Sequence, residues 1–426
     1  MIKLNKTVKN AGWMIAEKFI SIFGLFFVTA YVAKYIGPAL FGELAFAIAL
    51  FQIVQVTSQL GGDNILFKRT AKNPASGRRL ITRTCLMRLS LYLLISAPLL
   101  IYFYLQSSRI AFIYTSAVCV ASLFSALDVY AIYNNATLNS RLNTLSNVAG
   151  LAVGLAARYG IAFWELDPAL LSLPVILTTA IPFFIRFQNF NHQSRSLGLG
   201  AGSGKHVTAR YSRYLLLSGG AVVLSGISVT LYPRVNQFFI SSALGNEQLG
   251  IYAIALSLAT SWNFVLAAVI TSFYPAIYAE SNDNIALHKA ARLNRLVLFF
   301  SLCVTLIFFA AGKEVILFLY GKAFEGAYLP MLILCFGTLF SSMGTVASRY
   351  IIRYSGYRYL SVKAVGVMLV SCLTAYMLTA GYGLTGAAMS FVLVEFLSLT
   401  VMNYFFRKGL ILSMHIYTLG LSKCIK

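Results

Sequence analysis

The sequence predicts an all-α integral membrane protein of about twelve transmembrane helices, in two parallel six-helix lobes around a central cavity. Three observations lead there. Apolar runs of about 20 residues recur along the whole chain, each long enough to cross roughly 30 Å of hydrocarbon as a helix. With 59% hydrophobic and 11% charged residues in 426, the chain has too little charge to cover a water-exposed surface. The Lys and Arg residues collect in alternate loops, as the positive-inside rule requires of a chain that crosses repeatedly. Helices are the form expected, because lipid demands that backbone groups be satisfied within each segment.

The first span, 12–35, follows Lys3, Lys6 and Lys9 and carries Glu17 and Lys18 in its first turns, which argues against a cleavable leader. The second, 41–62, carries Gln52, Gln55 and Gln59 on one helical face. The third and fourth, 84–105 and 110–133, hold Arg88 about one turn in and Asp128 near the inner end. The fifth, 143–164, has Arg158 in its outer third, and the sixth is 168–187. The seventh, 214–242, is uncharged from Leu215 to Leu244 except for Arg234, which follows Pro233. The remaining spans are 248–278, 293–311, 327–348, 362–380 and 384–405, the last with Glu395 near its middle.

The basic loops hold, among others, Lys68, Arg69, Arg78 and Arg83, then Lys205 and Arg210, then Arg349, Arg353, Arg358 and Lys363. The opposite set is short, at 36–41, 106–109, 165–168, 243–248, 312–326 and 381–383. With an even number of spans, both termini are expected on the cytoplasmic side. The net charge of +22 then reflects topology and affinity for anionic membrane lipids rather than nucleic-acid binding. The short outer loops leave little room for an acceptor site and argue against far-side polymerisation. The six cysteines form no CxxC pair and the four histidines are scattered, so no metal site is expected. Neither a phosphate loop nor a GxSxG elbow is present, so no cofactor or catalytic domain is expected.

An internal repeat supports two halves. At an offset of 208, Gly37, Gly42, Ala45, Ala47 and Leu50 meet Gly245, Gly250, Ala253, Ala255 and Leu258. Six spans per half makes the repeats parallel, with a cavity expected between lobes that rock against each other. The expected organisation is an N-terminal lobe (1–190), a linker (191–213) containing the flexible SLGLGAGSG, a C-terminal lobe (214–406) and a tail (407–426). Thr260 and Asn263 stand where Gln52 and Gln55 stand in the first half. These matched polar residues read either as cavity lining or as interhelical hydrogen bonds.

Intramembrane charges are the candidate site. An arginine as deep as Arg234 should face a cavity, a cargo or a partner carboxylate, and its guanidinium suits phosphate in a two-pronged way. Asn236 lies beside it in sequence. Glu395 is a candidate for proton or sodium coupling, or a partner for Arg234 or a hydroxyl. Lys18, Arg88 and Arg158 read as cavity cations or as side chains snorkelling to the surface. Asp128 and Glu17 are further ion-coupling candidates, Asp128 alternatively neutralising basic loop residues. The substrate-binding set is thus Arg234, Lys18, Arg88, Arg158, Gln52, Gln55, Asn236 and Asn263. The excess of cations over acids points to an anionic, polar cargo.

Four stretches carry a resemblance: AKYIGPALFGELAFAIAL (33–50); LGNEQLGIYAIALSL (244–258) with FYPAI (273–277); FLYGKAFEGAYLPMLIL (318–334); and GYGLTGAAMSFVLVE (381–395). In this order they resemble the Wzx-type flippases of O-antigen and capsule repeat units. That group belongs to the MOP superfamily, which also holds the MATE exporters and the lipid II flippase. The resemblance implies an undecaprenyl-pyrophosphate-linked oligosaccharide carried to the periplasmic leaflet of a bacterial inner membrane by alternating access, with no bond made or broken. It implies polymerase and chain-length proteins of the same pathway as partners and leaves H+ or Na+ coupling open. Relatives often carry an Arg–x–Asp pair in the seventh span. Here Arg234 is followed by Asn236, which moves the coupling candidate to Glu395. The alternatives are a MATE-like exporter of small molecules and a membrane polysaccharide polymerase or glycosyltransferase.

Overall fold

The computed structural model describes residues 2–196 and 224–420. The chain divides into two compact units, Met1–Thr230 and Leu231–Lys426. The first contains α1 (Ile2–Gln59), α2 (Gly62–Lys72), α3 (Pro74–Gln106), α4 (Arg109–Leu127), α5 (Tyr130–Ala136), α6 (Ser140–Phe163) and α7 (Ser172–Ser196). The second contains α8 (Val235–Leu244), α9 (Asn246–Thr260), α10 (Asn263–Tyr278), α11 (Asp283–Tyr320), α12 (Tyr328–Arg353), α13 (Tyr357–Leu399), α14 (Val401–Tyr404) and α15 (Leu410–Thr418). The greater part of the linker and the start of the seventh span fall at 197–223, outside the described residues, as do the side chains of Glu17 and Lys18.

Among the described residues, nine helical stretches are long and apolar enough to cross a membrane. Their outward faces match hydrocarbon rather than water. Leu94, Ile101 and Leu105 on α3 and Phe299, Leu306 and Phe309 on α11 are all more than half exposed. In lipid such surface needs no covering.

In the first unit α1 packs on α4 and α6, and α7 packs on α4 and α6. In the second, α13 lies against α8 and α12, and α12 also packs on α9 and α11.

Several expected loops are helix. The turn between the first two spans, expected over 36–41, shrinks to one residue: Gly37 breaks α1 at φ 75, ψ 173 and Pro38 opens the next limb. Gly383 (φ 59, ψ −136) divides α13 in the same way. The basic segments before the third and ninth spans are helical because asparagines cap them. Asn73 accepts from the Ser76 N–H at 3.1 Å, and Asn282 from the Asn284 N–H at 2.9 Å. Hydropathy marks only the apolar part of such helices. The outer segment expected at 312–326 is likewise helical as far as Tyr320.

The seventh span is broken. Residues 224–231 are helical, a turn covers 232–234, and α8 follows. Pro233 has no N–H to continue the helix. The Arg234 N–H instead closes back on the Leu231 carbonyl at 2.8 Å.

Candidate functional site

In the first unit a cavity of about 230 Å3 opens among the end of α4, the middle of α6 and α7. Its charged wall is an ion pair between Asp128, the residue that ends α4, and Arg186 on α7. Both are withdrawn from solvent, with side chains 12% and 4% exposed. The same guanidinium donates to Asn147 of α6. Ser125, Thr178, Thr179 and Pro182 complete the lining. The sequence permits the close approach that shapes it. Gly150 and Gly154 lie one turn apart on α6, and a methyl group on them would run into Pro182 and Thr178 respectively.

In the second unit Glu395 on α13 is 5% exposed. Its carboxylate accepts from the hydroxyls of Tyr232 and Ser341, with the Lys363 ammonium the nearby cation. Lys363 itself donates to Asn403 Oδ1 at 2.8 Å. Tyr232 is held twice, since its carbonyl also accepts from Ser371 Oγ at 3.1 Å. These contacts tie the broken part of the seventh span to α13.

The sequence candidates scatter over these two places and beyond. Arg234 caps α8, half-buried, with Nη1 3.4 Å from Gln237 Oε1. It joins no ion pair among the described residues. Glu395 is therefore not its partner and meets hydroxyls instead. Asn236 is 1% exposed and lies beside Tyr252. Asn263 accepts from Ser342 Oγ at 2.8 Å, an interhelical bond between α10 and α12. Gln52 and Gln55 are half-buried on α1. Further down the same stripe, Gln59 donates to the Ser125 carbonyl at 3.4 Å.

Arg88 does not snorkel. It is 1% exposed, because its side chain is enclosed by the protein, with Asp63 and Tyr130 as its charged and phenolic neighbours. Arg158 is half-buried on α6. Asp128 does not neutralise loop cations; a residue within the sixth predicted span, Arg186, holds it. Sequence reading missed Arg186, Asn147, Tyr232 and Ser341, and counted Lys363 with the loops. The signal for Arg186 was its place one residue inside the predicted end of the sixth span. No group of three metal-ligating side chains occurs among the described residues.

The profile of the polysaccharide biosynthesis protein family matches residues 31–329. The chain belongs to that family. The matched region of this polysaccharide biosynthesis protein includes the Asp128–Arg186 pair and Arg234, and ends before Glu395. No curated protein matches it in sequence. Its fold is that of the MOP superfamily transporters. An inward-facing multidrug resistance MATE family transporter of that superfamily superposes with a TM-score of 0.71 at 13% identity, covering 97% of this chain and 99% of the other. The lipid II flippase MurJ in an inward closed conformation gives 0.68 at 14% identity, covering 97% and 91%. A Pyrococcus furiosus MOP transporter described as having a binding pocket of reverse polarity gives 0.54 at 12%, covering 96% and 93%. At such identities the likeness shows the fold and nothing finer.

Proposed function

We propose that the chain is a flippase. It carries an undecaprenyl-pyrophosphate-linked oligosaccharide from the cytoplasmic to the periplasmic leaflet of a bacterial inner membrane, by alternating access, for O-antigen or other surface polysaccharide. Both termini lie on the cytoplasmic side. The observation that carries this reading is a polar, ion-paired pocket among apolar helices, in a polysaccharide biosynthesis protein with the fold of a lipid II flippase. Arg234, in no ion pair among the described residues, is assigned the pyrophosphate, which a guanidinium grips through paired charge-assisted hydrogen bonds. Glu395 is assigned any cation coupling.

A MATE-like exporter of cationic drugs is the weaker reading, because such a cargo calls for acids left open to it. Here Asp128 is held by Arg186, and Glu395 by two hydroxyls. The test is gene deletion and complementation with wild type or Arg234→Ala, scoring surface polysaccharide and the leaflet that holds the lipid-linked repeat unit. The reading expects repeat units trapped on the cytoplasmic leaflet in the deletion strain, and no rescue by Arg234→Ala at normal membrane levels. Repeat units that reach the outer leaflet unpolymerised would make the protein a polymerase instead.

A further inference from the structure

The pocket of the first unit is not a second anion site. Its two charges neutralise each other: Asp128 and Arg186 form a buried ion pair, so the wall carries no net charge. The hydroxyls around it have already committed their hydrogens. Ser125 donates to the Ala121 carbonyl at 3.1 Å, Thr178 to Val175 at 2.8 Å and Thr179 to Ile176 at 3.0 Å. Each hydroxyl oxygen keeps a lone pair and so serves as an acceptor. Pro182 adds another, because it lacks the N–H that the Thr178 carbonyl would otherwise receive one turn later. The Asp128 carboxylate, by contrast, is already taken up by the Arg186 guanidinium and the Ala131 N–H.

The inventory is therefore rich in acceptors, with the Asn147 amide and the Arg186 guanidinium as its donors, and electrically neutral. A phosphate or carboxylate would bring an uncompensated charge to a wall whose guanidinium is already paired with Asp128. A cation would meet the Arg186 guanidinium. An uncharged group bearing several O–H or N–H donors satisfies the wall. Size narrows the choice. About 230 Å3 falls below the roughly 300–1,000 Å3 of pockets that enclose a drug-sized ligand. The cavity takes one ring rather than a whole lipid-linked oligosaccharide.

We propose that this pocket is a subsite for one uncharged sugar ring of the cargo, bound through acceptors on Ser125, Thr178 and Thr179, with the Asp128–Arg186 pair keeping the pocket neutral. The proposal rests on the flippase reading for the sugar's being part of the cargo.

The test is saturation-transfer NMR on the full chain in lipid nanodiscs, with a panel of uncharged methyl glycosides, hexosides and N-acetylhexosaminides among them. At least one glycoside should give a signal. The double substitution Thr178→Val and Thr179→Val keeps shape and removes two acceptors, and should weaken that binding about tenfold. Ser125→Ala should weaken it less, and Thr271→Val, an exposed threonine on α10, should leave it unchanged. Inorganic pyrophosphate and exchange of sodium for potassium should have no effect. Absence of signal from every glycoside, a signal indifferent to the threonine pair, or competition by pyrophosphate or sodium overturns the subsite. Binding is read without transport, so the two readings fail separately. Glycoside binding in a protein that does not rescue flipping sinks the flippase. Rescue without glycoside binding sinks only the subsite.

Discussion

Gly37 and Gly245 lie 208 positions apart and adopt the same backbone conformation, φ 75, ψ 173 at one and φ 87, ψ 171 at the other. Each ends one helix and starts the next. The region is closed to residues with a Cβ, so glycine is required by conformation rather than by space. A Cβ at either position would meet nothing within 4 Å. The sequence repeat is thus a repeated backbone turn. Gly37→Ala and Gly245→Ala should each destabilise the protein by about 1–3 kcal/mol, read as a lowered Tm in detergent. Gly344→Ala is the control: its site is equally open but helical, so the change should be neutral or mildly stabilising. Equal losses at all three positions would refute the conformational account.

Asp128 and Arg186 should behave as a buried pair. Asp128→Asn or Arg186→Leu alone leaves one charge uncompensated and should cost about 3–5 kcal/mol. Removing both together should cost much less than the sum of the singles. A double-mutant cycle on Tm measures this. Additive losses would mean that the two side chains do not depend on each other.

Spans and the repeat were readable because each rests on periodicity or composition, which survive without knowledge of contacts. The helical basic segments escaped because Asn73 and Asn282 act by a cap at one position, invisible to a hydropathy window. The site was only half readable. Glu395 and Arg234 stand out as charges in apolar runs, but what faces them depends on packing between distant stretches: Tyr232 meets Glu395 across 163 positions (395 − 232). Arg78 makes the same point. It counts as a loop cation in sequence, yet it is 4% exposed and donates to Tyr133 at 3.1 Å.

Docking of α15 should depend on pH. His415 is 7% exposed, lies 3.1 Å from the Tyr404 hydroxyl through Nδ1, and has no partner for Nε2. Burial pulls its pKa from 6.5 down to about 4. Released from α11, the imidazole returns to its ordinary value and takes up a proton that the docked form refuses. Docking is therefore flat above pH 6.5 and weakens as pH falls from 6.5 toward 4, by on the order of 3 kcal/mol in all. Hydrogen exchange of residues 410–418 should show protection falling through that window. His415→Gln should remove the slope. Protection unchanged between pH 7 and about 4.5 would mean that the docked helix tolerates the charge.

Glu395 and Tyr232 carry the last prediction. A carboxylate with 5% exposure, met by two hydroxyls, is expensive to retain unless its proton or charge is used. Tyr232→Phe removes one donor and should cost about 1.5–3 kcal/mol of stability, while Glu395→Gln keeps a polar acceptor and should cost less. The functional consequences should run the other way. On the flippase reading, an imposed proton gradient in proteoliposomes should speed flipping in wild type, hardly at all in Glu395→Gln, and partly in Tyr232→Phe. Because Tyr232 stands two residues before Arg234, titration of Glu395 would act on the turn that presents the guanidinium, and cargo affinity should then shift with the gradient. A wild type indifferent to the gradient, with Glu395→Gln flipping normally, would reduce Glu395 to a structural tie between α13 and the broken seventh span.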